Sequence, residues 1–217
     1  MEQDNQGGII QKFFKNDLPA TFACLFKKPS RCVENFVGRS NGISVATPLC
    51  MMALTLLVTM LLSWLMLMKM GITDFMEGGD IFGICFKSGL VPVIYGAFFT
   101  LLLFVAMAIK SCTDFKLAFF NVTVHLMVFC LVLIVTTILM MTVSNDKEPG
   151  AFYIIVLIAT LLYALTWAIG NVKQALMSIS GDDTYSWWMA PLVVSLSLTF
   201  TYLIVKNMVL SSINSPF

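Results

Sequence analysis

The feature that most limits how this chain can fold is an uncharged, almost wholly apolar run, residues 117–145. A helix rising about 1.5 Å per residue needs about 20 apolar residues to cross about 30 Å of hydrocarbon. The run is longer than that, so its helix tilts or begins in the interface. Four other stretches meet the same test: residues 47–68, 88–109, 151–172, and a last one that follows Trp187 and Trp188 and ends near Lys206. The predicted fold class is all-α, a polytopic integral membrane bundle of about five transmembrane helices with an N-terminal amphipathic interfacial helix. Residues 1–42 form the leader, 43–210 the transmembrane domain and 211–217 a short tail. The spans leave no length for a separate soluble domain.

Composition agrees. Charged residues make up 12% of the chain, about half the share in soluble domains. A formal net charge of +1 leaves no basic face of the size a nucleic-acid binder needs, which excludes that class. The six cysteines are singletons, without a C-x-x-C pair, and resemble neither a zinc site nor a disulfide framework. The first forty residues read as polar and amphipathic rather than as a signal peptide, so the first span is expected to be its own insertion signal.

In the leader, Ile9, Ile10, Phe13, Phe14, Leu18, Phe22, Leu25 and Phe26 recur at helical spacing, with Lys12, Lys15 and Asp17 between them. Lys27, Lys28 and Arg31 follow around Pro29. This is an amphipathic helix with aromatics on one side and basic edges, expected to begin at Ile9 after a polar, disordered start. Two readings stay open: it lies in the interface with its lysines near lipid phosphates, or it docks a soluble partner. A second short helix is expected over residues 30–37.

Thr47 is the expected N-cap of the first span, with Pro48 at its first helical position. The same punctuation recurs at Ser88 and Pro92, at Pro149, and at Ser186 and Pro191. Residues 69–87 read as a solvated loop, and Asp74, Glu77 and Asp80 lack the spacing of a calcium loop. Residues 173–185 read as another. In the fourth span Thr160, Ala164 and Ala168 repeat at i, i+4, i+8. Small side chains at that spacing let helix backbones approach closely in lipid. This is the expected helix-packing face, and it admits a homo-oligomer. Ser195, Thr199 and Tyr202 share a face of the last span, available for bonds to a neighbour.

Orientation follows from the basic residues. With the N-terminus cytoplasmic, nine lie inside (Lys12, Lys15, Lys27, Lys28, Arg31, Arg39, Lys110, Lys116, Lys173) and four outside (Lys69, Lys87, Lys147, Lys206). The positive-inside rule favours this arrangement, with the C-terminus outside a cell membrane.

Ionisable residues within spans are the first functional suspects. The spans offer one, His125, with Asn121 a helical turn before it and Asp114 further back. A proton relay would use all three along one face. The bland reading keeps His125 neutral and hydrogen-bonded to an adjacent helix. No esterase elbow, zincin motif or phosphate loop is present, so neither an enzyme nor a cofactor or metal site is expected.

The leader segments F-F-K-N and L-F-K-K-P-S-R, followed by five spans with short connections and an external C-terminus, resemble the Yip-domain family of small five-span membrane proteins, above all its bacterial members. The resemblance rests on this layout and on Lys27–Ser30. It implies a non-enzymatic membrane organiser. The D-L-Y-G-P motif of eukaryotic members is absent, with Thr47-Pro48-Leu49 at most a remnant, so a GTPase partner does not carry over. The expected function is a membrane scaffold or adaptor whose partners are the lipid bilayer and a membrane or cytoplasmic protein. The alternative is a small oligomeric transporter or channel subunit using His125 and Asn121.

Overall fold

The computed structural model describes residues 4–27, 45–143 and 150–213, and all its regular structure there is helical. The leader comprises α1 (Asp4–Lys12), a π turn (Phe13–Asp17) and α2 (Leu18–Lys27). Five long apolar helices follow, each able to cross a membrane: α3 (Ala46–Lys69), α4 (Gly78–Ile109), α5 (Phe115–Thr142), α6 (Ala151–Ser180) and α7 (Asp183–Ile213). The expected fold class stands: this is a multi-pass helical membrane protein.

The elements begin and end for local reasons. In the leader, Pro19 has no amide to donate, and its ring excludes the carbonyl four residues back. The backbone answers with a wider turn, in which the Leu18 amide donates to Phe13 O. Asp114 caps α5 by accepting from the Leu117 amide at 3.2 Å. Gly181 ends α6 in the left-handed region, at φ 64°, with its amide on Met177 O at 2.9 Å. Such a C-cap favours glycine because it has no Cβ.

Several boundaries differ from the sequence reading. The leader helix starts at Asp4, not Ile9. α4 starts at Gly78, so residues 78–87 are helical and Pro92 lies inside the helix, as Pro191 lies inside α7. At 32 residues, α4 is about 48 Å long, more than hydrocarbon requires. Its polar first turns therefore extend past the apolar layer without breaking the helix. α6 likewise continues to Ser180, leaving only Gly181 and Asp182 as the turn into α7. Thr47 does not cap α3; the N-cap is Val45, and the Thr47 hydroxyl donates instead to Asp17 Oδ2 at 2.7 Å. The expected helix over residues 30–37, Pro149, Lys147 and Arg39 lie outside the described residues.

α4 is the central helix and packs against α3, α5 and α7; α3 also packs along α5, and α6 lies mainly on α7. The α3–α4 seam is close because α4 offers glycines there. A Cβ on Gly89 would stand 2.7 Å from Met60 Cγ and 3.1 Å from Leu56 O, and one on Gly96 2.9 Å from Met52 Cε and 3.1 Å from Val122 Cγ1. In lipid such close approach substitutes for the hydrophobic drive that water would supply. One end of the bundle carries the leader, the α4–α5 turn and the Gly181 turn. The two turns are clasped by Lys110 on Asp182 at 3.0 Å, and Tyr185 Oη donates to Ala106 O at 2.6 Å. At the other end Lys69 Nζ donates to the carbonyls of Met140 and Val143 at the end of α5, where Met140 O also accepts the Val143 amide at 3.3 Å.

Candidate functional site

Between Ala118 and Met127, α5 is enclosed on nearly every side. This stretch holds the polar residues that lipid makes most costly: Asn121, Thr123 and His125, each no more than 4% exposed. Helical spacing puts Asn121 and His125 on one face and Thr123 on the other. The His125 ring lies 4.1 Å, centroid to centroid, from Phe99 of α4, and edge-to-face with Trp167 of α6 at 5.5 Å. Two aromatic rings from two other helices thus hold the imidazole.

The polar atoms around it are only partly satisfied. Asn121 Nδ2 donates to Leu117 O of its own helix at 3.1 Å. Asn121 Oδ1, Thr123 Oγ1 and His125 Nε2 are buried without a hydrogen-bond partner among the described residues. Other buried hydroxyls do better. Thr55, Thr59, Thr100, Ser197 and Thr201 each donate to the carbonyl four residues back in their own helix, at 2.7–2.8 Å. Asn171, 1% exposed, lies one turn beyond Trp167 on α6.

The three residues of the relay reading do not bond to one another. Asp114 is exposed and spends its carboxylate on the α5 cap, while Asn121 turns its amide to Leu117 O. No three His, Cys, Asp or Glu side chains converge among the described residues.

The other predicted residues divide. Thr160, Ala164 and Ala168 are half-buried on the inward side of α6, and Ala168 packs on the core. The Thr160 hydroxyl donates to Val156 O at 2.8 Å. Ser195, Thr199 and Tyr202 face outward instead of toward a neighbouring helix, and Thr199 bonds Ser195 O in its own helix. In the leader, Phe13 is buried in the core, whereas Phe14 and Phe22 are exposed. The aromatic face expected to act as one surface is therefore split. The backbone of Phe26 and Lys27 belongs to α2, their side chains lie outside the description, and so do Lys28 and Arg31.

Sequence reasoning missed Phe99 and Trp167 around His125, the buried Asn171, and the Gly89–Gly96 seam. Only the glycines carried a local signal, their spacing of seven on one helix face. Compared with known proteins, the chain matches no family model, no curated protein and no solved structure.

Proposed function

We propose that this protein is a non-enzymatic membrane scaffold or adaptor. The observation that carries the reading is the enclosure of His125. Its Nε2 and the neighbouring Asn121 Oδ1 have essentially no accessible surface, and aromatic rings from α4 and α6 cover the imidazole. A transport site must be wetted from at least one side to load its substrate, and here the polar atoms have no path to the surface. The resemblance to Yip-domain proteins supports the same class. The second reading, a small oligomeric transporter using His125 and Asn121, draws on the unpartnered state of those same atoms, because buried polar groups without partners are costly in hydrocarbon.

The protein in proteoliposomes is expected to carry no proton or solute flux above protein-free vesicles. In native membranes, cross-linking is expected to capture a stoichiometric protein partner. A pH-gradient-dependent flux abolished by both His125→Asn and His125→Leu would sink the scaffold reading and install the transporter.

The basic-residue asymmetry supports a cytoplasmic leader and an external C-terminus in a cell membrane. In a background without native cysteines, Phe75→Cys in the exposed turn between α3 and α4 should react with an impermeant thiol reagent in intact cells. Gln11→Cys should react only after permeabilisation. The reverse pattern overturns the orientation.

A further inference from the structure

The π turn sorts the leader's side chains onto two neighbouring faces. Phe13, Asp17 and Thr21, four residues apart, point to the bundle: Phe13 is 2% and Thr21 1% exposed. Asp17 Oδ2 accepts from Thr47 of α3 at 2.7 Å, and its carbonyl accepts from Thr21 at 2.8 Å. The π turn touches α3 and α2 touches α5, so the leader is seated at one end of the span bundle. Ile10, Phe14 and Phe22, in register on the adjoining face, are 57%, 51% and 44% exposed, and Lys12 and Lys15 beside them are exposed as well. The carboxylate of Asp17, between these lysines and the bundle, is occupied by Thr47.

We propose that this outer face is a docking surface for anionic lipid, with Phe14 and Phe22 entering the acyl boundary and Lys12 and Lys15 meeting headgroup phosphates. Two observations choose lipid over a soluble occupant. The surface adjoins the apolar exterior of the spans, since Val45 at the N-cap of α3 and Leu49 in its first turn, on either side of the Thr47 seat, are exposed apolar residues. Its charge has the sign that an anionic leaflet attracts, worth about a fivefold gain in partitioning per lysine near the surface. The seat sorts the aromatics by face: Phe13 is buried against the bundle, and Phe14 and Phe22 present exposed surface on the outer side.

The test uses the full-length protein in nanodiscs of phosphatidylcholine alone or mixed with phosphatidylglycerol, with hydrogen exchange read over residues 4–27. The expected result is slower leader exchange in the anionic mixture, reversed by high salt. Lys12→Gln and Lys15→Gln should each shrink the difference by about fivefold. Phe14→Ser with Phe22→Ser should abolish it, while α3 and α5 exchange as in the parent protein. Leader exchange equal in the two lipid compositions overturns the proposal in favour of a protein occupant. A composition dependence that survives the double serine variant overturns it too, because the attraction would then be charge alone. Neither outcome bears on flux through the spans, so failure here is separable from failure of the scaffold reading.

Discussion

α5 and α6 are both long, apolar and nearly free of charge, yet the bundle treats them differently. In the most apolar part of α5, 33% of residues are buried; in that of α6, 6% are. From Ala151 to Thr166 no residue of α6 is fully buried, though Thr160 and Ala164 are half-buried; its fully buried residues, Trp167, Asn171, Val172, Ala175 and Leu176, all lie beyond. Water would penalise that largely exposed half, whereas lipid tails are as apolar as leucine and impose no such penalty. What separates the two helices is where polar and small residues fall. α5 is enclosed where it carries Asn121, Thr123 and His125, opposite Gly96 of α4. α6 is enclosed where it carries Asn171. In this protein hydropathy selects the solvent, and polar or small residues select the neighbours.

The sharpest way to test that rule is to fill a glycine in the closely packed centre of the bundle and one on α6. Gly89 on the α3–α4 seam has a neighbouring backbone oxygen and Met60 Cγ inside Cβ range, whereas around Gly170 of α6 nothing lies within 4 Å. Overpacking costs about 1–3 kcal/mol, so Gly89→Leu should lower thermal stability in detergent markedly. Gly170→Leu should cost nothing and gain some helix propensity. Equal losses from the two substitutions would mean that α6 is packed as closely as α4.

That seam also shows where the sequence was legible. All five spans could be read from it, because lipid demands an unbroken run and the runs are there. Their ends could not, because the cues were those of helices in water. Gly78, Gly79, Asp80 and Lys87 signal a loop in a soluble protein, but here they begin a helix that overshoots the hydrocarbon. Pro92 and Pro191 lie past the first turn for the same reason. The leader's amphipathicity was plain, but its division into a bundle face and an outer face depends on the π turn at Pro19 and on the Asp17–Thr47 bond, which joins residues thirty apart. His125 stood out as the lone ionisable group in a span. Its neighbours Phe99 and Trp167 come from other helices, and no local pattern points to them.

A smaller effect is expected at His125, where α5 and α6 meet. If the imidazole serves as a ring between Phe99 and Trp167, His125→Phe should keep stability within about 0.5 kcal/mol of the parent. His125→Leu should lose about 1 kcal/mol of aromatic contact. Because Nε2 has no partner in the described structure, His125→Asn should do no better than His125→Leu, as it loses the ring and adds an amide to satisfy. Unfolding in mixed micelles would measure all three. Rescue by Asn but not by Phe would show that polarity, not ring shape, holds α6 to α5.

The smallest effect tests how the attached half of α6 is held at its end. Asp182 caps α7 by accepting from the Tyr185 amide at 2.9 Å, and it also pairs with Lys110 from the α4–α5 turn. Lys173 and Asp183 form a second pair at 2.9 Å. The Tyr185 amide first, and then Lys110, hold the Asp182 carboxyl below its ordinary range. A carboxylate with a depressed folded-state value stabilises the fold above its unfolded value, about 3.9, and that contribution is lost as pH falls through the lower folded value. Asp182→Asn keeps a capping oxygen for Tyr185 and removes only the charge. It should therefore lower the melting temperature slightly at neutral pH, less so in high salt because the pair is exposed. The curves of parent and variant should converge as the medium is acidified through the carboxylate range. If they stay apart in acid, the turn is held by the cap and by the Tyr185–Ala106 bond rather than by charge, and the ion pair contributes nothing to the attachment of α6.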